Sequence, residues 1–263
     1  MKVIILAAGF GARLRPYTDD RPKAMVGVHG KPIIHWQREA FKRAGIERIV
    51  VVKGYKPETI DDTLFSSVYQ NIDFAVTNMV ASLWCAEAEL HNDVIVSYGD
   101  IIFEDCVLDT LIQSSHPISI VVDENWKPYW MKRFGNNLLD DAESLMIGED
   151  GYIKSIGQKV SDVSSIQGQY IGMMRFKEEG IRQLRSCYQT LKDSMQSGKH
   201  PLAAKKTFQN IYMTDLLHEM INSNMKLFPV PIQGGWMEID NIRDYELANE
   251  LVHVETNCLK IDR

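Results

Sequence analysis

The stretch Val3-Ile-Ile-Leu-Ala-Ala8, running straight into Gly9-Phe-Gly-Ala-Arg-Leu-Arg-Pro16, decides the fold. An unbroken apolar run without polar alternation describes a strand covered on both faces, the condition of a parallel strand between two helical layers. Ile49-Val-Val-Val52 and Val94-Ile-Val-Ser97 repeat that character. Between the first two runs, Ile33, Ile34, Trp36, Ala40, Phe41 and Ala44 mark one face of a helix that Gly45 ends. Strand, helix and strand alternate. The pattern predicts right-handed βαβ units in a three-layer α/β/α, Rossmann-like fold with a mixed, mostly parallel sheet, whose ligands bind beyond the carboxyl ends of the strands.

Working outward, Pro117 to Val122 reads as a further strand, Tyr152 to Ile156 and Tyr170 to Phe176 as shorter ones. Helices are expected over Glu179 to Met195, Thr214 to Asn222 and Ile242 to Val252, and Trp126 to Gly151 reads as an irregular excursion carrying a hairpin. No repeat, low-complexity tract or Pro/Ser-rich linker divides the 263 residues. The expectation is one domain over 1–263, with a nucleotide-binding half to about residue 115 and an acceptor-binding half over about 116–250 that completes the site.

The formal charge, 29 basic against 35 acidic side chains, is −6. Such a chain has no global attraction for nucleic acid or an anionic membrane, so any anionic ligand needs a local basic site. No apolar run reaches the roughly 18 residues of a membrane span, and the first strand is too short for a signal peptide, so a cytoplasmic location is expected. Cys85, Cys106, Cys187 and Cys258 are scattered without zinc-ligand spacing. No amphipathic stripe surplus to the core reveals an oligomeric state.

The loop after the first strand is the strongest chemical signal. Leu6, Ala7, Ala8, Gly9 and Gly11 let the backbone approach a polyphosphate and aim N–H groups at its oxygens, while Arg13 and Lys23 add charge. Leu14 breaks a GxGxxG fingerprint, and no GK[ST] completes a P-loop. A plain glycine turn with solvated Arg13 and Lys23 is the alternative.

The whole segment from Leu6 to Pro32, LAAGFGARLRPYTDDRPKAMVGVHGKP, resembles the signature of the nucleotide-sugar pyrophosphorylase superfamily, whose members transfer NMP from an NTP to a phosphorylated acceptor. The resemblance implies the nucleotide-diphospho-sugar transferase type of fold and a loop wrapped round the triphosphate. It implies Arg13 and Lys23 as catalytic residues that stabilise charge as pyrophosphate departs. It also implies Mg2+ held by one aspartate after a central strand and another far downstream. Asp100 ends the run Val94-Ile-Val-Ser-Tyr-Gly-Asp100, with Gly99 counted among the nucleotide contacts, and Asp240 ends Gly234-Gly-Trp-Met-Glu-Ile-Asp240. If that segment is extended, its period of two puts Glu238 and Asp240 on one face. The plainer readings are a turn or helix N-cap for Asp100 and an N-cap for Asp240. An acceptor phosphate is already ionised at neutral pH, so no general base is required, and His29, His35 and His91 receive no catalytic role.

The carboxyl half resembles the phosphocholine cytidylyltransferase branch, which includes enzymes activating aminoethylphosphonate and phosphoglutamine, in Asp140 to Ser144, Gly151 to Lys159, Gly168 to Gly172 and Trp236 to Asp240. That branch implies CTP as donor, a small cationic or zwitterionic acceptor such as phosphocholine, and decoration of cell-surface polymers. Trp126, Trp130, Tyr170 and Trp236 are available to box a quaternary ammonium, at about 0.5–2 kcal/mol per ring. Asp141 and Glu143 would instead pair with a primary ammonium. Lys127, Lys132 and Arg133 are available to the acceptor phosphate, or form an exposed basic patch; Arg133 and Lys159 are the candidates retained. Base recognition is expected from Gly54-Tyr55 and Thr77-Asn78, with Asn78 and Ser82 offering donors and acceptors. Two other readings stay open: the same chemistry on a sugar 1-phosphate with UTP or dTTP, and a non-catalytic nucleotide-binding regulator.

Overall fold

A computed structural model describes residues 1–262. The opening apolar run is strand β1 (Lys2–Ala7), buried along its whole length. Its side chains divide with period two: Ile4 and Leu6 enter one core, Val3, Ile5 and Ala7 the other. A two-residue pair, β2 (Gly27–Val28) and β3 (Lys31–Pro32), precedes α1 (Ile33–Arg43). Then come β4 (Arg48–Lys53), β5 (Ser67–Gln70), α2 (Met79–Cys85), β6 (Asp93–Tyr98), β7 (Ile101–Phe103) and α3 (Asp105–Gln113).

The second half opens with β8 (Ile118–Asp123) and α4 (Trp126–Phe134), followed by the hairpin β9 (Glu143–Ile147) and β10 (Ile153–Lys159). After β11 (Gln169–Lys177) run α5 (Glu178–Gln196), α6 (Met213–Asn222), β12 (Phe228–Ile232), β13 (Trp236–Glu238) and α7 (Ile242–Leu251). A last hairpin is β14 (Val252–Glu255) with β15 (Cys258–Ile261). The segment expected to be irregular after Trp126 thus begins as a helix. Pro128 sits in its first turn, where a missing N–H costs nothing.

Seven strands form the main sheet in the order β12-β8-β11-β6-β1-β4-β5. Only β11 runs against its neighbours, so the sheet is mixed and mostly parallel as expected. Leu83 of α2, Leu184 of α5 and Leu216 of α6 pack on one face. Phe41 of α1, Leu108 of α3 and Trp130 of α4 pack on the other. Burying each such side chain stabilises the fold by roughly 1.5–3 kcal/mol. α7 and the final hairpin join α1 in a third cluster around Trp36 and Leu247.

This topology sends β1, β4 and β6 out at one edge, where their continuations carry the phosphate loop, Gly54 and Asp100. A second device completes the site. β13 pairs antiparallel with β7, setting Glu238 opposite Ile101, and the Ile239 amide donates to the Asp100 carbonyl at 2.9 Å. Asp100 lies just before β7 and Asp240 just after β13, so this ribbon draws the two aspartates together across 140 residues of chain.

Candidate active site

The loop after β1 is shaped by its glycines. Gly11 has φ +64°, a left-handed conformation that a side chain disfavours, and its carbonyl accepts from Thr18 Oγ1 at 2.8 Å. The chain then makes a short 3-10 turn carrying Arg13, and a second one, after Pro22, carrying Lys23. Gly99 meets a different need. A Cβ there would lie 2.7 Å from the Leu6 carbonyl oxygen, so only glycine lets Asp100 approach β1 so closely.

Lys23 and Asp100 meet Asp240 at the centre. Lys23 Nζ donates to Asp100 Oδ2 at 2.7 Å and also to Asp240 Oδ1, while the Arg13 guanidinium pairs with the other oxygen of Asp240. Burial opposes the Lys23 charge, but Asp100, Asp240 and Glu238 outweigh it and raise its pKa. For Asp240 burial acts upward, and Lys23 and Arg13 overcome it, so its carboxyl is held below its ordinary value. Neither aspartate is a helix cap: Asn241 caps α7, in a box with Asp244, and Asp100 lies between strands.

Two cavities open on either side of this centre. One, of about 210 Å³, is lined by Leu6, Ala7, Gly9, Lys23, Asn78 and Gly99 among others, with Asp100 at its rim. The other, of about 200 Å³, is lined by Arg13, Trp130, Asp141, Glu143, Tyr170, Trp236, Glu238 and Asp240, with Gln169, Tyr212 and Thr214. Met79 and Tyr98 border both. Neither of these two was anticipated, although Tyr98 immediately precedes Gly99-Asp100.

Several expectations are corrected. Ser82 is buried, and its hydroxyl accepts from Asn71 Nδ2 at 3.0 Å, facing protein instead of the nucleotide cavity. Asn78 lines that cavity, although its Oδ1 caps α2 by accepting from the Met79 amide at 2.8 Å. Trp126 lies in the core beneath Trp130 and reaches neither cavity, because residues four apart on a helix face the same way and Trp130 stands in front. Nor do the remaining tryptophans make an open box. Trp130 and Trp236 are each 3% exposed, Trp236 packs against Tyr129, and the Arg133 guanidinium lies 5.2 Å from the Trp130 ring. Arg133 is itself enclosed and bidentate to Asp244, so it is neither surface charge nor free for a ligand phosphate. Ala8 and Gly11 shape the loop from outside the cavity: the Ala8 carbonyl accepts from the Tyr55 amide at 3.1 Å.

Asp141 and Glu143 stand at the acceptor-side mouth. Glu143 is an exposed residue whose carboxyl borders the cavity. Desolvation of that carboxyl, with Asp141 and Asp215 nearby, pushes it up to about 7, against the pull of Lys206. Burial likewise raises Asp141, opposed first by Arg133.

One grouping suits a metal. Asp100, Glu238 and Asp240 each present a carboxylate oxygen within 4.8 Å of the others, and Asp100 Oδ1 is buried without a hydrogen-bond partner. An all-oxygen donor set with an orphaned anionic atom fits a hard divalent ion such as magnesium.

Comparison with known proteins places the chain in a family. Residues 3–164 match the model of the MobA-like NTP transferase domain. A CTP:phosphoglutamine cytidylyltransferase of Campylobacter jejuni is 38% identical over 261 residues, covering 95% of this chain and all of that protein. The chain belongs to the MobA-like NTP transferase family. This nucleotidyltransferase is also 36% identical over 119 residues to a choline-phosphate cytidylyltransferase of Streptococcus pneumoniae, covering 44% of this chain and 52% of that one. Among solved structures, the CTP:phosphocholine cytidylyltransferase of Streptococcus pneumoniae superposes with a TM-score of 0.69 at 24% identity, covering 95% of this chain and 97% of the other. An inositol-1-phosphate CTP transferase of T. maritima also gives 0.69, at 20% identity with 95% of each chain covered. These likenesses establish the Rossmann-like nucleotidyltransferase fold. Among the described residues, no helix of this transferase is long and apolar enough to cross a membrane.

Proposed function

We propose that the protein is a magnesium-dependent cytidylyltransferase that moves CMP from CTP to the phosphate of a small, amine-bearing acceptor and releases pyrophosphate. The observation that carries this is the pair of cavities meeting at Tyr98 and Met79, with Lys23, Asp100 and Asp240 between them. Such a layout supplies one chamber for a nucleotide and one for an acceptor, with the charged centre where an α-phosphate would lie.

In this reading Leu6, Ala7, Gly9 and Gly99 border the nucleotide, and Asn78 contributes at its far wall. Arg13 and Lys23 offset the charge gathering on the leaving pyrophosphate, and orient the α-phosphorus for in-line attack. Asp100, Asp240 and Glu238 would hold magnesium, which when bound adds Lewis-acid stabilisation of the phosphate oxygens. The acceptor's own phosphate oxygen is the nucleophile, so no side chain has to remove a proton.

The choice of CTP follows the relatives. The acceptor class follows the cavity. A quaternary ammonium needs several accessible ring faces; those of Trp130 and Trp236 are occupied by other side chains, which leaves Tyr170 and the exposed Tyr212 among the rings of this wall. A primary ammonium needs hydrogen-bond acceptors, and Asp141 and Glu143 present carboxylates at the mouth, with Gln169 and Thr214 in the same wall. An acceptor of the phosphoglutamine or aminoethylphosphonate type therefore fits better than phosphocholine, which the sequence reading places first.

The test is steady-state pyrophosphate release with magnesium, each NTP and a set of acceptors. The reading predicts that CTP outperforms UTP and dTTP, and that a primary-amine acceptor exceeds phosphocholine at least about tenfold in kcat/KM. Preference for phosphocholine would overturn the acceptor class. Preference for glucose 1-phosphate with UTP would overturn the donor and acceptor together.

A further inference from the structure

Trp126 and Trp130, both on α4, are expected to wall the acceptor, yet Arg133 on the same helix does something else. Arg133 has a side chain only 1% exposed, and it grips Asp244 with two parallel bonds, Nε to Oδ1 at 2.8 Å and Nη2 to Oδ2 at 2.9 Å. Asp244 Oδ2 in turn accepts from the backbone amide of Asp240 at 3.1 Å. The third nitrogen, Nη1, sits 3.1 Å from Glu238 Oε2, at ion-pair distance but out of line for a hydrogen bond. One turn earlier on α4, the Tyr129 hydroxyl donates to the Glu238 carbonyl and accepts from its amide, both at 3.0 Å. The Glu238 backbone is thus held directly by α4, and the Asp240 amide is held by Asp244 of α7, which α4 grips in turn.

We propose that Arg133, seconded by Tyr129, is a positioning residue that sets the two downstream carboxylates for metal binding through Asp244 and the β13–α7 backbone. The inference rests on the metal reading above. Arg133 touches neither cavity and acts only through its partners. Outer partners of metal ligands commonly matter by about 10–100-fold in affinity or activity, and a bidentate grip on Asp244, whose carboxylate accepts from the Asp240 amide, belongs in that range. Lysine, a single point charge, cannot reproduce the fork.

The test compares Arg133→Met, Arg133→Lys and Tyr129→Phe with the wild-type chain, reading Mn2+ binding by EPR in the presence of a non-reactive CTP analogue. Kinetics and thermal unfolding are measured alongside. Arg133→Met should weaken Mn2+ binding and lower kcat by at least about tenfold, with Arg133→Lys intermediate. Tyr129→Phe, which keeps the ring and loses the two backbone bonds, should weaken Mn2+ binding by a smaller factor; it decides the matter if Arg133→Met does not fold. Variants that lose thermal stability yet bind Mn2+ like the wild type would overturn the positioning role. Failure of the wild type itself to bind Mn2+ with the analogue would overturn the metal reading, and this inference with it.

Discussion

Replacing Lys23 by methionine perturbs the centre in two separable ways. Lys23 Nζ lies 2.7 Å from Asp100 Oδ2 and also bonds Asp240, with all three side chains at most 19% exposed. A unit pair at that distance in an effective dielectric near 20 is worth about 6 kcal/mol before desolvation, and breaking a buried pair typically costs about 3–5 kcal/mol net. Arg13 stays on Asp240 and Arg133 stays near Glu238, so the lower figure, about 3 kcal/mol, applies. At roughly 2 °C per kcal/mol for a chain of this size, Tm of the nucleotide-free protein falls by about 6 °C. Magnesium should recover part of that loss in the variant and shift the wild type less, because only the variant leaves carboxylates without their ammonium. Turnover should fall by about 10²–10³, the loss of one transition-state charge contact. Differential scanning fluorimetry with and without magnesium, and a pyrophosphate-release assay, read both effects. A folded variant whose turnover stays within about threefold of wild type would refute the assignment of Lys23.

Asp100→Asn and Asp240→Asn should each lower turnover at least about a hundredfold in the same assay, with far-UV circular dichroism unchanged. Trp126→Ala should act as a core truncation costing about 3–5 kcal/mol, seen as a Tm loss of about 6–10 °C, and a change confined to acceptor KM would contradict its place behind Trp130. Glu143, pushed up to about 7, gives a pH prediction in which acceptor KM falls as pH rises through that value, since only the ionised carboxylate attracts an ammonium. The same raised pKa makes its contribution to stability greatest below the ordinary carboxylate range and lost as pH rises through about 7, so Glu143→Gln should flatten the KM profile and relieve that alkaline loss.

The readability of this chain followed the locality of its signals. β1, β4 and β6 are continuous apolar runs, and a run buried on both faces announces itself wherever it lies. β12 did not, because Phe228-Pro-Val-Pro-Ile232 carries two prolines; it survives as an edge strand in which the alternate residues serve β8. β5, Ser67–Gln70, is polar, short and at the opposite edge, and so resembles a loop. Asp100 was legible from the strand that it ends, and Glu238 with Asp240 from alternation in an extended segment. What aligns them, the β7–β13 ribbon and the grip of Arg133 on Asp244 across 111 residues, leaves no local pattern. Aromatic composition pointed to an acceptor box, but composition cannot say which ring faces are already covered. Arg133 over Trp130 and Trp126 beneath it were decided by the packing of α4 alone.

The most direct test of cytidylyl transfer is the identity of the product. Phosphorus-31 NMR of the enzyme with CTP, magnesium and a phosphorylated primary-amine acceptor should show pyrophosphate appearing in step with two mutually coupled phosphorus resonances of a diphosphate joining cytidine to the acceptor. Unconsumed CTP, or CTP hydrolysed while the acceptor's phosphorus resonance stays unmoved, would contradict the account.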